Sequence, residues 1–396
     1  MAISQADARS PRREARTLLA AALTNGPAEL VDFLLPLWAG VALGAGPTEI
    51  GVLVALEMAV SVVVRPFAGV LADTRDRRRV AAVGAAAYGV ACVGYAFAGS
   101  LGPAYAAAVL SGVGGALLWV TLRAIVGERL ADDSGVYPRL MAARENGAWI
   151  AFVVGMSLMG LIGFTGLFLG CAAACLLAAG ALLASPDRDT RPAPSGRGGV
   201  AVGLGGLGRR LRPMLLAVAF TMTAEAAVGM LLLLHLQHGF DLDVVAIALV
   251  FLPGAIVSGL LPGRLHLFVV RFGRARAVAA ASVASAGFAL SLSWAPGPYA
   301  IAVLWILSGV AWAAVLPVQE AVIAEAAGEQ TGRGMGLYEA AALVGGAIGA
   351  LAAGILYDSS SWTTACVVAS AVILAGALIT PRAVRALRVA DFPPPP

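Results

Sequence analysis

Two acidic residues of this chain, Glu29 and Asp32, stand three positions apart inside a long apolar stretch. On a helix, this spacing places both carboxyl groups on one face. An ionisable side chain at the centre of a lipid bilayer costs about 2.5–3.5 kcal/mol on insertion scales, and two carboxylates in one low-dielectric site cannot both ionise cheaply. The pair therefore suits the uptake and release of a proton. The structural alternative is that one of them caps a kinked helix or pairs with an arginine.

Other ionisable side chains also fall inside apolar stretches, and each one needs a partner, a water-filled cavity or a function. For Arg123 and Glu145, a buried ion pair between neighbouring helices is the structural alternative to a part in coupling. Tryptophans in these stretches are expected to pack, to lie at the membrane interface or to stack on a ligand. The further ionisable candidates are Glu57, Arg65, Arg123, Arg144, Glu145, Glu225, Arg264, Glu320 and Glu339, and the tryptophans are Trp38, Trp119, Trp149, Trp305 and Trp312.

The composition places these side chains in a membrane. Of the 396 residues, 60% are hydrophobic and 13% are charged, and the mean hydropathy is +0.86, whereas soluble domains carry about 25% charged residues. Apolar runs recur at about the 20-residue length that a helix needs to cross a bilayer core. Because backbone groups in lipid must be paired within the segment, we predict helices. The expected fold is an all-α polytopic membrane protein with twelve transmembrane helices, near 16–44, 48–71, 79–99, 103–127, 138–162, 164–184, 212–237, 243–268, 276–295, 299–324, 334–357 and 362–381.

The basic residues indicate the orientation of these helices. All 27 residues counted as lysine or arginine are arginines, and they cluster in alternate loops. Four lie between 75 and 79, six lie between 186 and 212, and three follow the last apolar run, whereas the intervening loops hold none. The positive-inside rule then places both termini and the central segment in the cytoplasm. Because the arginines are dispersed in short loops, we expect no nucleic-acid partner.

The chain divides into two halves of similar pattern. The segment 185–211 is rich in proline, glycine, serine and arginine, a composition typical of a flexible linker. It separates a six-helix half at 1–184 from a second at 212–396 with a short cytoplasmic tail. Arg123 aligns with Glu320 at an offset of 197, and Glu145 aligns with Glu339 at an offset of 194. Small residues every four positions predict close helix contacts at Gly147, Ala151 and Gly155 and at Gly345, Gly349 and Ala353.

The loop after the second apolar run has a distinctive sequence. It begins at Gly69, continues through Leu71, Ala72 and Asp73, and ends in the arginine cluster at 75–79. A Gly-x-Leu-Ala-Asp stretch followed by arginines between two membrane helices resembles the cytoplasmic signature loop of the major facilitator superfamily. The resemblance covers nearly the whole chain. It implies two six-helix halves of the same orientation, related by an axis along the membrane normal, and transport of a small molecule by alternating access.

The resemblance also implies roles for particular residues. Helices one, four, seven and ten line the central cavity in that family, and Glu145 joins the set as the candidate partner of Arg123. The signature loop implies a latch that steadies the outward-facing state, in which a carboxylate engages a helix N-terminus. The implied cavity and coupling residues are Glu29, Asp32, Arg123, Glu145, Glu225, Gln319 and Glu320, and the implied latch residues are Gly69, Asp73, Arg77 and Glu128.

Together these patterns predict a secondary transporter rather than an enzyme. We expect proton-coupled efflux of a small amphipathic or cationic molecule, driven by the proton gradient without a bound cofactor or metal. The expected location is a bacterial cytoplasmic (inner) membrane, with the lipid bilayer and the small molecule as partners and a monomer as the working unit. A proton-coupled uptake symporter or a lipid flippase on the same fold is one alternative. A membrane-embedded enzyme or sensor is the alternative from another class.

Overall fold

The computed structural model describes residues 2–127, 136–185, 200–260, 269–327 and 331–392, and the regular elements in these ranges are all helical. The amino-terminal elements are α1 (Ala2–Leu43), α2 (Pro47–Thr74), α3 (Arg77–Phe97), α4 (Leu101–Gly127) and a long element, Val136–Leu183. The carboxy-terminal elements are α7 (Val200–Leu234), α8 (Val244–Leu260), α9 (Arg274–Ser291), α10 (Pro298–Ala327), α11 (Thr331–Ser359) and α12 (Trp362–Ala386).

The long element Val136–Leu183 is two helices joined at a glycine. Gly163 has φ 60° and ψ −170°, a backbone conformation that is not helical and that a residue with a Cβ rarely adopts. It separates α5 (136–162) from α6 (164–183), and twelve long α-helices result in the described part of the chain, beside shorter helical turns such as His235–Gly239 and Leu292–Trp294. The predicted all-α fold with twelve helices in two halves is confirmed.

Most of these helices are long and apolar enough to cross a bilayer. Nine described helical segments meet that condition by length and composition, and one of them, Ala143–Leu183, contains most of α5 and all of α6. Two shorter apolar segments, Val244–Gly254 and Pro298–Ala311, belong to α8 and α10. The chain is therefore a multi-pass membrane protein.

The helices group into two compact units. The first contains Met1–Gly46 and Leu53–Arg191, and the second contains Pro47–Val52 and Pro192–Pro396. Residues 186–199 of the predicted linker lie outside the described residues, and α7 begins at Val200, inside the segment 185–211 that the composition predicts as a linker. The domain boundaries from the sequence stay a prediction.

In the first unit, α1 lies along α5 and α6, and α3 packs on α4 and α6. A Cβ added to Gly147 of α5 would fall 2.8 Å from the Ala22 carbonyl carbon of α1, so the two backbones touch. Farther along, Trp38 of α1 packs edge-on against Phe168 of α6, with ring centroids 5.4 Å apart, and Tyr95 of α3 lies 5.7 Å from the same ring. These aromatic contacts form part of the apolar core of this unit.

The second unit repeats this arrangement. Gly345 and Gly349 bring α11 against α7 at Ala219 and Thr223, so the predicted small-residue contacts are present in both halves. The side chain of Ser370 on α12 donates a hydrogen bond of 2.8 Å to a carbonyl of α9. The pairs α7–α11, α9–α12 and α8–α10 therefore correspond to α1–α5, α3–α6 and α2–α4.

The backbone contacts also fix the register of the repeat. A Cβ on Gly112 of α4 would lie 2.5 Å from the Glu57 carbonyl oxygen, and a Cβ on Gly309 of α10 would lie 2.5 Å from the Gly254 carbonyl oxygen. Positions 57 and 254 are 197 residues apart, as are 112 and 309. In α5 and α11, Gly147 meets Ala22 and Gly345 meets Ala219, so these two helices are related by an offset of 345 − 147 = 198. The offset of 194 from aligning Glu145 with Glu339 is therefore wrong by about one helical turn.

Candidate functional site

Three carboxyl groups meet in the first unit. Glu29 and Asp32 lie on α1 and are both exposed, and Glu57 lies on α2 and is partly buried. The Asp32 carboxyl is close enough to interact electrostatically with both Glu57 and Glu29. The Asp32 side chain retains exposed surface although many protein atoms surround it. The structure thus brings together the predicted pair and adds a third acid from a different helix.

Glu57 is held by a hydroxyl of α4. The Ser111 hydroxyl donates a hydrogen bond of 2.5 Å to Glu57 Oε1, and Ser111 is fully buried. The close approach of Gly112 to the Glu57 carbonyl brings the two helices near enough for this bond. The sequence named Glu57 as an ionisable residue but gave it no role. Its position near the middle of the second apolar run is the signal that could have assigned one.

Two tyrosines of α3 lie beside these acids. Tyr88 and Tyr95 are 4% and 1% exposed, and both are within electrostatic range of Glu57 and Asp32. Among the described residues, the Tyr88 hydroxyl has no hydrogen-bond partner. A buried hydroxyl usually has one, so Tyr88 brings an unsatisfied polar group close to these acids.

Arg144 of α5 connects three helices beside the acidic cluster, which consists of Glu29, Asp32 and Glu57. Its Nε donates a 3.0 Å hydrogen bond to Asn25 Oδ1 of α1, while Asn25 Nδ2 donates to the Arg144 carbonyl at 3.2 Å. Its guanidinium lies 4.6 Å from the centre of the Trp119 ring of α4, a cation–π distance. The charges of Arg144 and Glu145 both reach Glu29. Arg144 therefore positions α1, α4 and α5 around Glu29.

A separate cavity lies inside the second unit, between α7, α9, α10 and α12. It encloses about 560 Å³ of space, part of it open to solvent, with a mostly apolar wall. Glu225 of α7 faces it, and the place in a central cavity that the resemblance implies for this residue stays a prediction. The full lining consists of Phe220, Thr221, Ala224, Glu225, Val228, Ser282, Ser285, Phe288, Trp305, Ser308, Ala311, Val315, Ile373 and Gly376.

The other predicted cavity residues occupy different positions. Gln319 of α10 is fully buried and donates a 3.1 Å hydrogen bond to Thr221, a cavity residue. Its Oε1 atom has no partner among the described residues. Arg123 is partly buried, and Glu320 is exposed and close enough to Glu339 to interact electrostatically. The roles of Arg123, Glu145, Gln319 and Glu320 stay predictions.

Only part of the predicted latch can be described. The Asp73 side chain and Glu128 lie outside the described residues, and Gly69 has open space around it. Arg77 donates hydrogen bonds to the carbonyls of Ala72 at 3.0 Å and Ala124 at 3.2 Å. It therefore ties the end of α2 to the end of α4, which is where Glu128 follows in the sequence.

Asp76 stabilises the start of α3 in the same loop. It is the N-cap residue, and its Oδ1 accepts a 3.0 Å hydrogen bond from the Arg78 backbone N–H. Burial alone would raise the pKa of Asp76, but hydrogen bonds from the Arg78 side chain and backbone and the charges of Arg78 and Arg79 outweigh it and hold the pKa below its usual value. The loop is thus ordered by its own charges.

The described residues contain no group of three or more histidines, cysteines or acids placed to hold a metal ion. The oxygen atoms that face the Glu225 cavity come from one carboxyl and several hydroxyl groups. The acidic cluster and this cavity are the two candidate sites in the described chain.

Comparison with known proteins adds an independent observation. The family model described as Major Facilitator Superfamily matches residues 17–269 and 263–395. No curated protein sequence matches the chain. Among solved structures, it is similar to the nucleoside transporter NupG (TM-score 0.73, 14% identity, covering 95% of this chain and 99% of that one). It is also similar to a bacterial homologue of the human lysosomal transporter Spinster (0.74, 13%, 96% and 96%) and to the human organic anion transporter MFSD10 (0.65, 18%, 93% and 99%).

Proposed function

Because the chain belongs to the Major Facilitator Superfamily, we propose that it is a proton-coupled antiporter that exports a small amphipathic or cationic molecule by alternating access. The solved structures named above, to which it is similar, are transporters. As in a transporter of this kind, the substrate crosses the membrane without covalent change. The proton gradient supplies the driving force.

The observation that carries this proposal is the meeting of Glu29, Asp32 and Glu57 in one unit. Asp32 is subject to the charge of both other acids, and the arginine whose charge reaches the group, Arg144, acts on Glu29. Because three carboxylates cannot all ionise cheaply at short distance in low dielectric, the group exchanges protons as one coupled system.

A transport cycle follows from this arrangement. When the acids face the outer side, Asp32 or Glu29 takes up a proton, and the group loses negative charge. When they face the cytoplasm, a cationic molecule competes with that proton and displaces it. Glu57 is held by Ser111 and places a second carboxyl near Asp32. The protonation of Asp32 therefore depends on the charge of Glu57.

We also propose that the protein lies in a bacterial cytoplasmic membrane with both termini in the cytoplasm. The alternation of arginine-rich and arginine-free loops supports this orientation. Arg77 and the signature loop would then lie on the cytoplasmic side, where the latch of the outward-facing state is expected.

Proteoliposomes that hold a pH-sensitive dye test the coupling. With an imposed pH gradient, we expect ethidium, tetraphenylphosphonium or phenethylamine to drive proton movement across the wild-type protein. Asp32→Asn and Glu29→Gln should reduce this movement strongly, and Glu57→Gln should shift its dependence on pH. Glu49→Gln provides a matched control, because Glu49 is an exposed acid in the first turn of α2.

Two results would contradict the proposal. If none of the three cations moves protons through the wild-type protein, proton-coupled cation export is wrong. If Asp32→Asn and Glu29→Gln both retain the full pH-driven exchange, the proton carriers lie elsewhere. Accumulation of a cation in the direction of proton flow, rather than against it, would instead favour the uptake symporter.

A further inference from the structure

We infer that the Glu225 cavity is a binding site for an organic ammonium ion with an aromatic or similarly apolar body, within the carboxy-terminal half and separate from the acidic cluster of the first unit. The inference rests on the proposed transport function only in treating this cation as cargo. Its physical basis is the set of side chains that face one cavity, whose mostly apolar wall with a few polar groups is typical of small-molecule sites.

Four polar side chains of this cavity, one acid and three serines, have no hydrogen-bond partner among the described residues, whereas Thr221 is bonded to Ala217 and Gln319. Glu225 makes no ion pair or hydrogen bond with any described residue. The hydroxyls of Ser282, Ser285 and Ser308 face the same space, and none of them is hydrogen-bonded to a described residue. A carboxylate enclosed by protein requires a proton or a positive partner, and an ammonium group offers both a charge and several N–H donors to the carboxylate and the hydroxyls.

The aromatic wall of the cavity is built in advance. The Trp305 indole packs edge-on against Phe251 at 4.9 Å and lies 5.8 Å from Phe288. It also occupies the space that a Cβ on Gly254 would fill, so Gly254 is the residue that admits it. A fixed indole beside a carboxylate is favourable for a cation, because the face of an aromatic ring attracts positive charge.

The internal repeat shows that this site is particular to the second half. At the offset of 197, Gly254 corresponds to Glu57 and Trp305 corresponds to Ala108. The first half therefore has an acid on α2 beside a small residue on α4, whereas the second half has a large aromatic ring over a glycine. Ser111 and Ser308 are equivalent, but Ser111 is bonded to Glu57, while Ser308 faces the cavity.

An inorganic cation fits this lining less well. Sodium or another hard cation needs a compact shell of oxygen ligands, but Phe220, Phe288 and Trp305 make much of this wall apolar. The volume also exceeds the space that one dehydrated ion fills. A molecule with a charged end and an apolar body matches both parts of the lining.

Isothermal titration of the purified full-length protein tests the inference with phenethylamine, which is protonated at neutral pH, and 2-phenylethanol, its neutral analogue. Phenethylamine should bind and 2-phenylethanol should bind much more weakly. Glu225→Gln, which removes the charge and keeps the shape, should weaken phenethylamine binding by roughly ten- to a hundredfold, as expected for a charge-assisted hydrogen bond. Trp305→Leu should weaken it by roughly two- to tenfold.

Matched controls separate loss of the site from loss of the fold. Ser291→Ala alters the same helix as Ser282 and Ser285, but at a partly exposed serine outside the cavity lining, whose hydroxyl donates to the Gly287 carbonyl. It should leave binding unchanged. Glu225→Asp retains the charge and should recover part of the affinity. Thermal unfolding of each variant identifies any that has not folded. In place of such a variant, binding is measured in Ser308→Ala, which should lose less affinity.

Three outcomes would overturn the inference. They are the absence of phenethylamine binding at roughly millimolar concentration, equal binding of the amine and the alcohol, and unchanged affinity in Glu225→Gln. Stabilisation of the wild-type protein by sodium without amine binding would assign the cavity to an inorganic cation. Because equilibrium binding needs no gradient, retained binding in a protein that moves no protons would contradict the proposed function and leave this site in place.

Discussion

Replacement of Gly147 by alanine is expected to destabilise the amino-terminal half through a single backbone contact. Gly147 lies where α5 crosses α1, and an added Cβ would fall 2.8 Å from both the carbonyl carbon and the Cα of Ala22. Real Cβ atoms do not approach so closely, and the obstacle is backbone, which cannot rotate away. The helices would have to separate, and overpacking of this kind costs about 1–3 kcal/mol.

Two further glycines of the same helical element serve as controls. A Cβ on Gly160 would meet nothing within 4 Å, and one on Gly155 would meet the tip of the flexible Leu30 side chain at 2.7 Å. Gly160→Ala should be neutral or stabilising by up to about 1 kcal/mol from helix propensity. Gly155→Ala should fall between the other two, because Leu30 can change rotamer.

Thermal unfolding with a thiol-reactive dye provides the measurement. All four cysteines, Cys92, Cys171, Cys175 and Cys366, are buried, so the dye reacts as the helices come apart. A loss of about 1–3 kcal/mol corresponds to a midpoint lower by roughly 2–12 °C for a unit of this size. Equal midpoints for Gly147→Ala and Gly160→Ala would refute the argument that α1 and α5 touch through their backbones at this point.

Further predictions concern the loops at the helix ends. Asp76→Ala should cost about 1 kcal/mol through loss of the N-cap bond, and Asp76→Asn should cost less, because asparagine caps almost as well; thermal unfolding distinguishes the two. The pKa of Asp76 is lowered in the folded state, so its contribution to the free energy of unfolding should be present above the unfolded pKa of 3.8 and lost as the pH falls through the folded pKa. The Asp76→Asn variant should not show this pH dependence. Arg274 is 3% exposed and donates hydrogen bonds to Glu325 at 2.8 Å and to the Ala390 carbonyl at 3.0 Å. Arg274→Lys should lower the free energy of unfolding by about 1–3 kcal/mol, because lysine cannot make both contacts. The Asp391 carboxyl accepts a hydrogen bond of 2.8 Å from the Ala275 N–H of α9, so Asp391→Ala should release the tail that follows α12. Limited proteolysis should then remove this tail faster, and an unchanged cleavage rate would show that the bond does not hold the tail.

Much of the fold could be predicted from the sequence, because the bilayer imposes local rules. A segment that crosses lipid must be apolar and must pair its own backbone groups, so twelve helices follow from hydropathy alone. Gly163 is a case in which a short glycine-containing break between apolar runs predicted the turn that the structure has. The small-residue positions at Gly147 and Gly345 likewise predicted close contacts, which the structure places against α1 and α7.

The composition of the sites could not be predicted in the same way. Which acids meet depends on the rotation of each helix about its axis and on which helix lies beside it, and both are set by side-chain packing. Glu57 lies within electrostatic range of Asp32, and its carboxyl is held by Ser111 of α4, which approaches α2 at Gly112. The shared face of Glu29 and Asp32 was local information, whereas the third acid was not.

The sequence by itself determined the class of protein, the helix count and the positions of the rare charges, since each of these depends on contact with lipid along one segment. The tertiary structure alone decided the register of the two halves and the contents of their interiors. At equivalent positions, the first half carries the Glu57 carboxyl and the second carries the Trp305 ring over Gly254. The physical reason is that a side chain acquires its chemistry from the helices packed against it, and these come from distant parts of the chain.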